Sequence, residues 1–181
     1  MTNTFIALLR GINVSGQKQI KMANLKILFE KAGFTNVQTY IQSGNVIFNS
    51  KNSDIKTIKI KIEKKIKEIY KFDVEVFIIT NSKLKSVLQK NPFIKKKKEI
   101  ERLYITFLSE KPISLNISKL NEINYSPEEF VIDDDVIYLY FPNGYGKAKL
   151  NNNFFENKLK VMATTRNWKT ANMIFDLSKE D

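Results

Sequence analysis

The chain has no cysteine and no histidine among its 181 residues. Without cysteine there is no disulfide, no thiolate nucleophile and no iron–sulfur cluster; without histidine the usual general base and the commonest zinc ligand are missing too. Arginine is nearly absent, with only Arg10, Arg102 and Arg166 among 30 basic residues. Long apolar runs are also lacking: none approaches the ~20 residues a membrane helix needs. Thr4-Phe5-Ile6-Ala7-Leu8-Leu9 is too short for a signal-peptide core and ends at Arg10. The expectation is a cytoplasmic protein with no membrane association.

What is present describes a folded chain. Hydrophobic residues make up 43% and charged residues 27%, ordinary values that exclude a disordered, collagenous or membrane-embedded protein. The net charge of +11 favours a phosphate-bearing partner or an anionic surface. Against that, abundant Lys, Asn and Ile with little Ala is a bias that AT-rich coding produces on its own.

Periodicity sets the fold. Residues 4 to 10 read as a buried strand, followed by the loop Gly11-Ile12-Asn13-Val14-Ser15-Gly16 and a helix from Lys21 to Gly33 with Met22, Leu25, Leu28 and Phe29 on one stripe. Val37 to Ile41 and Val46 to Phe48 flank Gln42-Ser43-Gly44-Asn45 as a hairpin. Residues 54 to 71 space Ile55, Ile58, Ile62, Ile66 and Ile69 for a helix, and Val74, Val76 and Ile78 alternate as a strand. This strand, helix, strand, strand, helix, strand order over residues 1–80 is ferredoxin-like. A connecting helix and the run Lys95-Lys96-Lys97-Lys98 occupy residues 81–101 as a linker. Over residues 102–181 the order begins again, with a strand at 102 to 109, a helix at 114 to 124 and a hairpin around Asp133-Asp134-Asp135. Residues 151 to 160 and 166 to 178 then read as helices with no final strand. The predicted fold is α+β, a tandem ferredoxin-like (βαββαβ) duplication with antiparallel sheets and a helical C-terminal end.

Three polar segments stand outside any core pattern: Arg10-Gly11-Ile12-Asn13, Gln42-Ser43-Gly44-Asn45, and the stretch from Asn143 to Trp168. Whether the first two adjoin is open in this fold order. Asn143-Gly144-Tyr145-Gly146-Lys147-Ala148-Lys149 sits before a helix, where backbone amides and lysines suit an anion, although its spacing matches neither the Walker A loop nor the dinucleotide fingerprint. Against this stands a plain glycine turn with solvated lysines. In Thr164-Thr165-Arg166-Asn167-Trp168, Thr165 is the expected N-cap of the last helix. Arg166 there opposes the helix dipole and suits either a bound anion or a salt bridge to Glu156. Trp168 reads as a packing anchor, and the three aspartates as a solvated turn rather than a calcium loop.

The segments LLRGINV, KM before the first helix, TYIQSGNVIF, FPNGYGKAKL and TTRNWKT together resemble the uncharacterised family catalogued as domain of unknown function 1697, in the same order along nearly the whole chain. Ser15 departs from it, standing where a Gly is common. The resemblance implies a small cytoplasmic α+β protein and carries no established reaction. Its motif positions here are Arg10, Gly11, Asn13, Lys21, Gln42, Ser43, Gly44, Asn45, Gly144, Gly146, Lys149, Leu150, Arg166, Asn167 and Trp168, of which the glycines and Leu150 read as structural.

Three functions fit these residues. The first is a non-catalytic binder of a phosphorylated or other anionic ligand, with Lys149 and Arg166 giving charge and Gln42, Asn45 and Asn167 giving hydrogen bonds. The second is nucleic-acid binding through a sheet face, although residues 44 to 50 lack the RNP1 pattern. The third is an enzyme using Lys149, Tyr40 or Tyr145 for proton transfer, groups whose ordinary pKa near ~10 would have to be lowered. No motif calls for a cofactor or a metal. The oligomeric state is not encoded in any of these patterns.

Overall fold

The structure is a computed structural model that describes residues 2–179. The chain forms two compact units. One runs from its start through Lys85 and takes in the segment from Ile174 onward; the other is Ser86–Met173.

In the first unit the elements are β1 (Asn3–Leu9), α1 (Met22–Lys31), β2 (Thr35–Tyr40), β3 (Asn45–Ser50), α2 (Ile55–Tyr70) and β4 (Val76–Thr80). The strands form one antiparallel sheet in the order β2-β3-β1-β4. Period-two alternation decides which side chains meet the helices. Phe5, Ala7 and Leu9 of β1, with Val46 and Phe48 of β3, pack into one core with Leu25, Leu28 and Phe29 of α1 and Ile58, Ile62 and Ile66 of α2. Phe48 anchors it, its ring 5.2 Å from Phe29 and 4.6 Å from Phe34. The expected isoleucine stripe of α2 holds in its middle, whereas Ile55 and Ile69 at its ends are exposed. Asp54 starts α2 by accepting from the amides of Lys56 and Thr57 at 3.2 and 3.1 Å, and Lys71 ends it in the left-handed region at φ 63°.

After β4 come α3 (Asn81–Lys90) and α4 (Pro92–Lys95). Asn91 caps α4, where Pro92 opens the helix. The division between units falls inside α3. Lys98, in the expected linker, is held by Glu129 at 2.6 Å and lies 4.5 Å over the Tyr140 ring.

The second unit contains β5 (Leu103–Leu108), α5 (Ser114–Asn121), β6 (Glu129–Asp133), β7 (Val136–Tyr140), α6 (Asn152–Leu159) and β8 (Ala163–Asn167). A last helix, α7 (Trp168–Leu177), crosses the boundary between the units in sequence. Its antiparallel sheet has the order β6-β7-β5-β8, the same permutation as the first. Leu108, Ile137, Leu139 and Phe141 pack with Leu150, Phe155 and Leu159.

The existence of β8 corrects the expectation of no final strand. Ala163-Thr164-Thr165-Arg166-Asn167 has no apolar alternation to announce a strand. It pairs with β5 from Ala163 opposite Leu108 to Asn167 opposite Tyr104, so tertiary pairing supplies what local pattern does not. Thr165 is accordingly not a helix cap; its hydroxyl contacts Thr106 and Asn152, each at 2.6 Å.

Tyr138, on β7, is buried and donates its hydroxyl to the Val87 carbonyl at 3.0 Å. Burial, then the charges of Asp133 and Asp135, push its ionisation up to about 12. An unfolded tyrosine releases its proton near ~10, so between pH 10 and about 12 only the folded chain keeps it. Stability is therefore full below pH 10 and falls as pH rises through that window, by about 2 to 3 kcal/mol. Urea unfolding across pH 9 to 12 checks this: Tyr138→Phe should flatten the decline by roughly that amount, and an unchanged slope refutes it.

Candidate functional site

Two of the polar segments meet in the first unit. The amide of Leu9 donates to the Gly44 carbonyl at 2.8 Å, and that of Arg10 to the Glu75 carbonyl at 2.9 Å. Asn13, at φ 56°, ties the loop to the turn: its Nδ2 donates to the carbonyls of Ile20 and Gln42 at 2.9 and 2.8 Å, and its Oδ1 accepts from the Ile20 amide at 2.8 Å. Asn45 is fully buried, its Nδ2 donating to the Tyr40 carbonyl at 2.9 Å and to the Ser43 hydroxyl at 3.1 Å. The side chains of Asn13 and Asn45 are thus spent on shaping backbone. Gly44 has no room for anything larger, because a Cβ there would stand 2.6 Å from Ile12 Cδ1 and 2.9 Å from Leu9 Cβ, at φ 78°.

Beside this junction opens a cleft of about 750 Å³ whose lining includes Asn13, Lys21, Met22, Asn24, Gln42 and Tyr70 and, among the described residues, no carboxylate. Its floor includes the start of α1. Lys21 occupies the cap position in extended conformation, no side chain caps the helix, and its first turn has no acidic residue. The first amides of a helix have no intrahelical acceptor, so they present a positive end beside the exposed Lys21 ammonium. Gln42 is exposed and Ser43 half-buried on the turn above; Arg10 is half-buried where β1 ends. Tyr70, at the last turn of α2, has its ionisation pushed up by burial.

The third polar segment lies in the second unit, where its groups are engaged. The amides of Lys149 and Leu150 donate to the two oxygens of Glu128 at 2.9 and 3.0 Å. The amides that the sequence assigned to an external anion therefore already hold a carboxylate of the same unit, and the Lys149 side chain is exposed. Asn151 then caps α6 by accepting from the Phe154 amide at 3.0 Å. Tyr145 stacks on Tyr104 with centroids 5.2 Å apart.

Arg166 is not at a helix start. It sits within β8 opposite Ile105, only 6% exposed, and its guanidinium donates to the Thr164 hydroxyl at 3.0 Å and the Thr165 carbonyl at 2.9 Å. Burial pushes its pKa down to about 10, with Tyr145 acting the other way, so it stays charged at neutral pH. Asn167, not Thr165, caps α7, accepting from the Thr170 amide at 2.7 Å. Trp168 is half-buried as the first residue of that helix. Sequence reasoning missed Glu128, which no spacing connects to residues 149 and 150. It also missed Asn24 and Tyr70, of which Tyr70 reads only as the end of a core helix.

A family model for a protein of unknown function matches residues 1–138. The chain belongs to the DUF1697 family. The match takes in the cleft and both segments that frame it, and it ends before the Asn143 to Trp168 stretch. Among solved structures, this DUF1697 chain is similar to a conserved bacterial protein from Streptococcus pneumoniae, at a TM-score of 0.77 and 23% identity over 99% of this chain and 100% of that one. That likeness is one of fold. No curated protein gives a significant match.

Two substitutions test the local architecture. Gly44→Ala should cost roughly 2 to 4 kcal/mol, combining a left-handed backbone with overpacking against Ile12; a loss under about 0.5 kcal/mol in urea unfolding contradicts the close contact. Glu128→Ala should cost about 1 to 2 kcal/mol by leaving the amides of Lys149 and Leu150 without their acceptor. Hydrogen exchange should then quicken at the amides of Lys149 and Leu150, and unchanged protection there refutes the assignment.

Proposed function

We propose that this protein is a non-catalytic binder of a phosphorylated or other small anionic ligand, and that the ligand sits in the cleft at the start of α1. The observation that carries the proposal is the combination of an uncapped helix start, the Lys21 ammonium and a lining free of carboxylates. An anion there receives backbone hydrogen bonds and a charge partner without displacing an internal acid. Gln42 offers an amide from the facing turn, while Asn13 and Asn45 hold that turn in place. Lys149 and Arg166, expected from sequence to supply charge, have lesser parts in this proposal: the amides beside Lys149 hold Glu128, and Arg166 is buried in its own strand.

We infer in addition that each unit is ferredoxin-like and that the chain is a tandem duplication. The support is the shared element order and the shared strand permutation, β2-β3-β1-β4 and β6-β7-β5-β8. No helix among the described residues is long and apolar enough to cross a membrane.

A thermal-shift panel of inorganic phosphate, sugar phosphates and nucleotides tests the cleft. A ligand at about 100 times its Kd should raise the melting temperature by roughly 5 °C or more. Lys21→Ala should remove most of that shift and Lys149→Ala should leave it intact. Loss on Lys149→Ala with no effect of Lys21→Ala would sink the proposal.

A further inference from the structure

Over Ile55–Tyr70, α2 carries six lysines and two glutamates, and the strip opposite its core face has no carboxylate. Ile58, Ile62 and Ile66 point into the core. At 3.6 residues per turn, the opposite side of the helix is the row Lys56, Ile60, Lys64 and Lys67, continued by Lys71 at the cap. All five are exposed. The two glutamates stand on either flank and are occupied. Glu63 receives Lys59 at 3.7 Å and the Val76 amide at 2.9 Å, and Glu68 receives Lys65 at 2.7 Å. Lys67 pairs with Asp73 at 2.9 Å, whereas among the described residues Lys56, Lys64 and Lys71 make no ion pair within 4 Å, and act only at longer range on Asp54 and Glu68.

The result is a straight cationic ridge about 22 Å long, one residue wide, with Lys56, Lys64 and Lys71 about 12 and 10 Å apart along the axis. Its chemistry narrows the partner. Lysine is a point charge that attracts phosphate without the planar fork that reads base edges, and the ridge has no aromatic residue on which a base could stack. The other face of the first sheet offers no open platform either, since Ile6, Leu8, Ile47 and Phe77 there are buried. Because Lys59 and Lys65 are taken up by these glutamates, open charge is concentrated in one row, which suits a rod lying along the ridge better than a flat anionic sheet spreading over both sides. We propose that the outer face of α2 binds the phosphodiester backbone of double-stranded nucleic acid without regard to sequence. This surface is independent of the α1 cleft.

Fluorescence anisotropy of the full chain with a labelled DNA duplex of about 20 base pairs, over roughly 25 to 150 mM KCl, tests it. Binding should weaken steeply with salt. The triple variant Lys56→Gln, Lys64→Gln, Lys71→Gln should lose about tenfold or more in affinity, and the salt slope should shrink by about 2.7, three contacts' worth. Ile60→Glu, which sets a carboxylate in the middle of the ridge, should weaken binding comparably; both variants replace exposed residues, and equal melting temperatures confirm their folding. A control of the same net charge, Lys119→Gln, Lys147→Gln, Lys158→Gln, should bind like the parent. Equal losses from the ridge and control variants would show that net charge alone acts and overturn the proposal. So would absence of duplex binding at the lowest salt, or ridge-dependent binding confined to vesicles containing phosphatidylserine.

Discussion

Everything around the α1 cleft depends on the close approach of two short loops. The hairpin turn reaches the loop after β1 only because position 44 has no side chain, and Asn13 then binds Ile20 with two hydrogen bonds and the turn at Gln42 with a third. A hydrogen bond from an uncharged side chain contributes about 1 kcal/mol, and losing one inside a packed junction costs more than that because its partners are left unsatisfied. The geometry is therefore held by a steric exclusion and a polar clamp acting together. Charge enters only at the edge, through Lys21 and the end of α1.

The same division between shaping and binding groups runs through the molecule. Asn13, Asn45, Asn151 and Asn167 all spend their amides on backbone. Asparagine suits such positions because its short side chain reaches neighbouring main-chain groups and tolerates left-handed conformations. A polar residue in a loop of this chain is thus more informative about how the loop is held than about what it touches. Glu128 makes the point from the acidic side, filling amides that look from the sequence like an anion cradle.

Most of the fold was legible before any coordinates. The first six elements follow from alternation in β1, the three-and-four spacing of Ile58, Ile62 and Ile66, and the Gly44 turn, because each is a local pattern matched to one face of the core. The strand at Ala163–Asn167 was not legible, since its residues are mostly polar and its identity comes from pairing with β5. The candidate site was half legible. Asn13, Lys21 and Gln42 were found through loops and motif residues, and they do line one cleft. Tyr70 belongs to an amphipathic helix whose pattern gives no sign that its last turn borders a cleft. Arg166 was misplaced for the same reason as its strand: a threonine before an arginine reads as a helix start until a partner strand claims both.

The path of the chain through the two units has a consequence for how the protein is made. The first unit includes Ile174 and Ser178, and the Ser178 hydroxyl accepts from Asn81 at 2.8 Å. During synthesis the first sheet and its helices leave the ribosome well before the segment from Ile174 that belongs to the same unit. An N-terminal fragment cut at Lys85 would lack that piece, so the boundary is topological rather than a place where the polypeptide can be divided.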